Sequence, residues 1–211
     1  MKKICILLYL LLLMNVPHVL AKEPVSIAVM DFALPKGISS AELAVDGSYT
    51  GVGDFIIQDL LTDKRFNIVD KAIYAEQLAD GHVQTVGIID QESAKNIGKI
   101  MHVRYIIYGN VTELGNDTNE NGISGVGLDL HNVKAKVTLR MLDVQTGEIL
   151  IAVSGEGKSE SSNVKVGVNE DYGLKIGTSR VSSISAYNAI QKAAVNAVEK
   201  FKKKYLDAEG I

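Results

Sequence analysis

The chain has 211 residues, with 22 Lys and Arg against 25 Asp and Glu and a hydrophobic content of 46%. That length fits one domain, or one domain with an extension, and that apolar fraction suffices for a packed core, which excludes global disorder. The net charge of -3, with basic residues scattered apart from one cluster near the C-terminus, gives no electrostatic footprint for nucleic acid.

Residues 1–21 have the layout of a secretory signal peptide. Lys2 and Lys3 form a positive start, Ile4 to Met14 an apolar segment too short to span a bilayer, and Val19-Leu20-Ala21 a small-residue cleavage site. Cleavage after Ala21 removes two lysines, no acid, and Cys5, the one cysteine of the chain. Lys22 follows the site where a bacterial lipoprotein needs cysteine, so the expectation is an exported, unlipidated chain without disulfides.

The mature chain, 22–211, opens with the apolar run Val25 to Phe32, read as a buried strand. A loop rich in Gly, Ser and small residues extends from there to Thr50. Val52, Phe55, Ile56 and Leu60 then recur at helical spacing. Phe66 to Val69 is a short strand, and Asp70 is an N-cap for a helix through Leu78. Asp90 is a second N-cap, before a helix with Ala94, Ile97 and Met101 on one face. Arg104 to Val111 reads as a strand covered on both faces.

The clearest alternation is Val133, Ala135, Val137, Leu139 and Met141 against Lys134, Lys136, Thr138 and Arg140. Asp143 to Gly147 turns it into a strand over Glu148 to Val153. From about Ser185, Ile190, Ala193, Ala194, Ala197, Val198, Phe201 and Tyr205 form one helical stripe. Lys200, Lys202, Lys203 and Lys204 fall in its last turns, where cations suit the helix dipole, and read as a solvated end. The resulting fold class is an α/β (α+β) sandwich: a mixed sheet with covering helices, C-terminal hairpins and a C-terminal helix.

Four segments together carry a family resemblance: Ile27-Ala28-Val29-Met30-Asp31-Phe32; Leu60 with Arg65 to Asp70; Tyr105 to Val111 around Gly109; and Leu142 to Leu150 around Thr146-Gly147-Glu148. In order and spacing they resemble the curli production assembly/transport component family (CsgG), over about residues 26–206. The resemblance implies a non-enzymatic envelope component. The family's founding type forms a ring whose protomers each add two β-hairpins to an outer-membrane barrel for export of curli subunits. Related lipoproteins with a similar domain activate penicillin-binding proteins. The expected function is therefore export or assembly of surface material as a homo-oligomer, in the periplasm with outer-membrane association. The alternative is a soluble periplasmic module that docks on and regulates an envelope enzyme. The founding type's pore loop corresponds to about Gly37 to Thr50, where Tyr49 is the candidate pore residue.

The hairpin region implied by the family lies at about 112–183. Barrel strands need about 9–11 alternating residues. Ser161 to Asn169 and Tyr172 to Arg180 meet this around Glu170-Asp171, with Val164, Val166, Val168, Leu174 and Ile176 as the candidate membrane or interface face. Glu113 to Asn121 is polar and alternates poorly.

Other motifs are weaker. Ala152 to Ser159 matches a phosphate-loop pattern, but the residues after it alternate as a strand where a helix is required. Asp117, Asn119 and Asn121 open like a calcium loop, yet the twelfth position is Leu128, and an Asx-rich turn is the preferred reading. His82, His102 and His131 lack ligand spacing. No catalytic, cofactor or metal residue is assigned.

Overall fold

The computed structural model describes residues 23–45, 48–116, 131–161, 174–176, 179–181 and 183–209. The segment read as a signal peptide lies outside these residues. Five strands form one mixed sheet in the order β2-β1-β3-β4-β5. β1 (Val25–Val29) lies parallel to both β2 (Phe66–Val69) and β3 (Tyr105–Asn116). β4 (His131–Asp143) runs antiparallel to β3, and β5 (Ile149–Ser161) runs antiparallel to β4.

Helices lie on both faces. Helix α1 (Val52–Leu60) and the C-terminal α4 (Ser183–Glu209) share one face with Ile27, Val29, Ile107, Val137, Leu139 and Val153. Helices α2 (Ala75–Asp80) and α3 (Gln91–Met101) pack on the other, against Ala28, Met30, Ile106, Tyr108 and Leu142. Ile27, Ala28 and Val29 of β1 are thus buried from both sides, which is why they form an unbroken apolar run. The fold class is the mixed sheet with covering helices that the sequence implies.

Local chemistry sets the element ends. The Asp70 carboxylate accepts from the Ala72 N–H at 2.8 Å, though it opens a 3-10 turn (Lys71–Tyr74) that leads into α2. Asp90 accepts from the Ser93 N–H at 2.9 Å and the Ser93 hydroxyl at 2.8 Å, which caps α3. In the β4–β5 turn, Asp143 accepts from the Gln145 N–H at 2.8 Å, and Gly147 takes the φ of +78° that the turn requires.

Several strand boundaries differ from the sequence reading, and β5 runs on to Ser161 instead of ending at Val153. β3 continues past Val111, with a register shift before Glu113, and pairs Glu113 to Asn116 with Lys136 to Val133. The polar stretch read as a poor membrane hairpin therefore begins as part of the main sheet. Tyr172 to Arg180 is not one strand either. β6 (Leu174–Ile176) folds back on β7 (Ser179–Val181) in a short antiparallel pair beside β3.

Candidate functional site

Helix α4 lies very close to β5, and glycines make this possible. A Cβ on Gly155 would collide with backbone atoms of Ala193 and Ala197, and one on Gly157 with backbone atoms of Ala189 and Ala193. The facing helix surface is built from Ala186, Ala189, Ala193 and Ala197, all fully buried. Two small-residue surfaces let the helix backbone settle on the strand backbone. Further along, Phe201 and Tyr205 fill the gap to Phe66, with ring centroids 5.7 and 4.9 Å from it.

That approach brings polar side chains of α4 to the outer edge of β5. The Lys192 ammonium donates to the Lys158 carbonyl at 3.0 Å. Asn196 Oδ1 accepts from the Glu156 N–H at 3.3 Å. Lys200 donates to the Ser154 carbonyl at 2.8 Å, and Lys204 to the Ala152 carbonyl at 3.1 Å. The donors and acceptors advance four residues at a time along the helix and two at a time along the strand, so each turn of α4 meets the next outward backbone group. Lys202 instead pairs with Asp59 of α1 at 3.2 Å and with its carbonyl at 2.9 Å. The lysine cluster is therefore not simply a solvated helix end: Lys200, Lys202 and Lys204 are engaged, and Lys203 is exposed.

The face of β3-β4-β5 opposite α4 is polar and paired across strands. Lys134 meets Glu156 and Lys136 meets Glu113, each at 3.6 Å. Thr138 and Ser154 hydroxyls lie 3.0 Å apart, and Arg140 donates to Asn110 Oδ1 at 3.5 Å.

The other constellation sits at the C-terminal end of β1, where connections leave toward opposite faces of the sheet and crevices form in open α/β sheets. Asp31 and Lys71 form an ion pair there. They border a shallow pocket of about 250 Å³ floored by Ala72, Ala75, Leu78 and Val83. The adjoining loop is fixed by backbone bonds from Asp31 N–H to the Thr85 carbonyl and from Gly87 N–H to the Asp31 carbonyl, at 3.0 and 2.9 Å. Gln84 donates to the carbonyls of Val86 and Ile88 at 3.2 and 2.7 Å. This pinned loop holds Val86 and Ile88 out in water, 48% and 62% exposed, and Ile73 on a nearby segment is 72% exposed. Among the described residues no group of His, Cys, Asp or Glu forms a metal-holding cluster.

Tyr49, the candidate pore residue, is half-buried and packs against the main core. Burial, reinforced by the charges of Asp54, Tyr187 and Asp31, pushes its phenol up to about 12, so it is a neutral hydroxyl at any physiological pH. Of the candidate hairpin residues, Leu174 and Ile176 lie in β6, while Val164, Val166 and Val168 lie outside the described residues, as do Asp117, Asn119 and Asn121. The phosphate-loop pattern falls inside β5, with no loop to cradle phosphate. His82 and His102 both have positive φ, at 50° and 52°, and terminate α2 and α3 as left-handed residues. The sequence reading missed the edge row and the Asp31–Lys71 pair. The first was legible only as Lys and Asn four residues apart along the helix.

The structure resembles lipoprotein GNA1162 from Neisseria meningitidis at 16% identity and a TM-score of 0.45, covering 68% of this chain and 89% of that one. It resembles the hypothetical protein CT253 from Chlamydia trachomatis at 13% identity and a TM-score of 0.48, covering 85% and 96%. It also resembles the dodecamer of a PelC variant with one Leu-to-Met substitution, from Paraburkholderia phytofirmans, at 12% identity and a TM-score of 0.41, covering 83% and 90%. No curated protein matches the sequence. No helix among the described residues is long and apolar enough to cross a membrane. A family profile described as curli production assembly/transport component CsgG matches residues 10–211. The chain belongs to this CsgG family of envelope-associated components.

Proposed function

We propose that the protein is a non-enzymatic envelope component that acts in export or assembly of surface material by associating with copies of itself. The observation that carries this reading is the family match over residues 10–211. The geometry supports work by protein contact: the loop that holds Val86 and Ile88 in water is pinned by four hydrogen bonds, and a fixed apolar surface of this kind suits a protein partner. The segment carrying Val164, Val166, Val168, Leu174 and Ile176 supplies the membrane or inter-protomer contact, and Tyr49 stabilises the base of the loop that faces the assembly centre. The signal segment 1–21 directs export, and the mature chain begins at Lys22.

The test is fractionation of cells making the full-length chain, followed by native mass measurement of the extracted protein. A detergent-extracted oligomer with a mature mass starting at Lys22 is the expected result. A monomer released in plain buffer would overturn the assembly reading in favour of a soluble regulatory module.

A further inference from the structure

We propose that the edge of β5 is a latent pairing surface for β5 of a second copy of this chain, held closed by the Lys192-Asn196-Lys200-Lys204 row of α4. This goes beyond the proposed function and does not depend on it.

β5 is the last strand of the sheet, and no further strand is paired with it among the described residues. An edge of 13 residues without proline is a ready template for another strand. A partner strand would use the outward N–H and carbonyl of Ala152, Ser154, Glu156 and Lys158, and α4 occupies one of the two at each: the carbonyls of Ala152, Ser154 and Lys158 and the N–H of Glu156. The lysine stems also lie across the edge and keep charge at the seam, a common way for sheet proteins to block edges. Only the close seating of α4 on Gly155 and Gly157 gives these side chains the reach.

The occupant is set by the strand itself. Antiparallel pairing of two β5 strands about Gly157 sets Glu156 of each copy opposite Lys158 of the other, so the open-face side chains match by charge in both halves of the contact. The lysine rows of the two α4 helices would meet at that same seam. Their repulsion, with the loss of the capping bonds, keeps the wild-type edge shut.

The experiment compares full-length wild type with the triple variant Lys192→Met, Lys200→Met, Lys204→Met, by native mass spectrometry and sedimentation over a dilution series. Methionine keeps the apolar stem and removes the donor and the charge. The expected result is a new doubling of whatever assembly wild type forms, with the self-association midpoint tightened about tenfold or more. Adding Glu156→Pro, which removes the outward N–H and places a ring on the edge, should reverse it. A control triple, Lys95→Met, Lys99→Met, Lys203→Met, makes the same charge change away from the edge and should leave the midpoint alone. An unmoved midpoint in the first triple, an equal shift in the control, or no reversal by Glu156→Pro would each overturn the proposal. Should the first triple lose its circular dichroism spectrum, Lys200→Met alone must still shift the midpoint in the same direction, and a null result there overturns the proposal equally.

Discussion

In the parallel half of the sheet, β1 has helices on both faces. In the antiparallel half, β4 has a helix on one face and water on the other. In β1, consecutive residues Ala28 and Val29 are both buried, in two different core clusters. In β4, Val137 is fully buried under α4 while Thr138, next in sequence, is half-buried beside Ser154. One half stores stability symmetrically. The other separates it, packing on one side and a paired polar surface on the other, and leaves the surfaces available for contact in that second half and at the strand ends.

The largest expected effect tests that difference. Val137→Asp places a carboxylate without a partner in the α4 core and should destabilise by several kcal/mol or unfold the chain. Thr138→Asp leaves the carboxylate near water and Lys136 and should cost far less. In β1, Ala28→Asp and Val29→Asp should be equally damaging. Thermal and urea unfolding of the four variants reads the pattern directly. A β4 pair as evenly damaged as the β1 pair would show that the antiparallel half is not one-sided.

A second effect, of middle size, concerns how α4 meets the sheet. Gly157→Ala puts a methyl into helix backbone at Ala189 and Ala193, neither of which is the far end of a flexible side chain. The helix must shift, at a cost of about 1–3 kcal/mol. Gly115→Ala on β3 meets nothing within 4 Å and should change stability by less than about 0.5 kcal/mol. Equal urea midpoints for the two variants would mean that α4 does not rest on β5 as tightly as the glycines imply.

The same contrast explains what could be read from sequence. β4 alternates because its two faces differ, so Val133 to Met141 disclosed both strand and face. The start of β3 announced burial on both sides by being nearly continuously apolar, and the apolar run from Val25 announced β1 as a buried strand. Asp70 and Asp90 were legible as caps because capping is a local interaction. The continuation of β3 through Glu113 to Asn116 was hidden because its partner is Val133 to Lys136, and a polar sequence there reflects one open face rather than a loop. The β6–β7 pairing was missed because alternation alone does not distinguish one long strand from two short antiparallel ones. The edge row is less legible still. Lys192, Asn196, Lys200 and Lys204 form an ordinary polar helix stripe until Gly155 and Gly157 are seen to admit the helix. Asp31 and Lys71 lie 40 residues apart and meet only because β1 and β2 are neighbours.

The smallest effect is a pH dependence, and it compares a carboxylate from each half. Asp143 belongs to the antiparallel hairpin. Burial pushes its carboxyl up, but the Gln145 N–H, Arg104 and the Thr146 N–H outweigh that and leave it below the usual range. Arg104 approaches it at 3.0 Å. Asp90, at the start of α3, is lowered chiefly by the Ser93 N–H and then by the Ser93 hydroxyl. A depressed folded value means that the unfolded chain binds the proton first. Each group therefore stabilises the fold above the unfolded value, about 3.9, and that contribution is lost as pH falls through the lower folded value. Melting temperature should thus fall between about pH 4 and more acidic conditions. Asp143→Asn keeps an acceptor for Gln145 but removes the charge that Arg104 faces, so its deficit relative to wild type should be largest near neutrality and shrink in acid. Asp90→Asn keeps a good N-cap and should show a smaller deficit at neutrality. A deficit for Asp143→Asn that is the same at every pH would place its role in shape rather than charge.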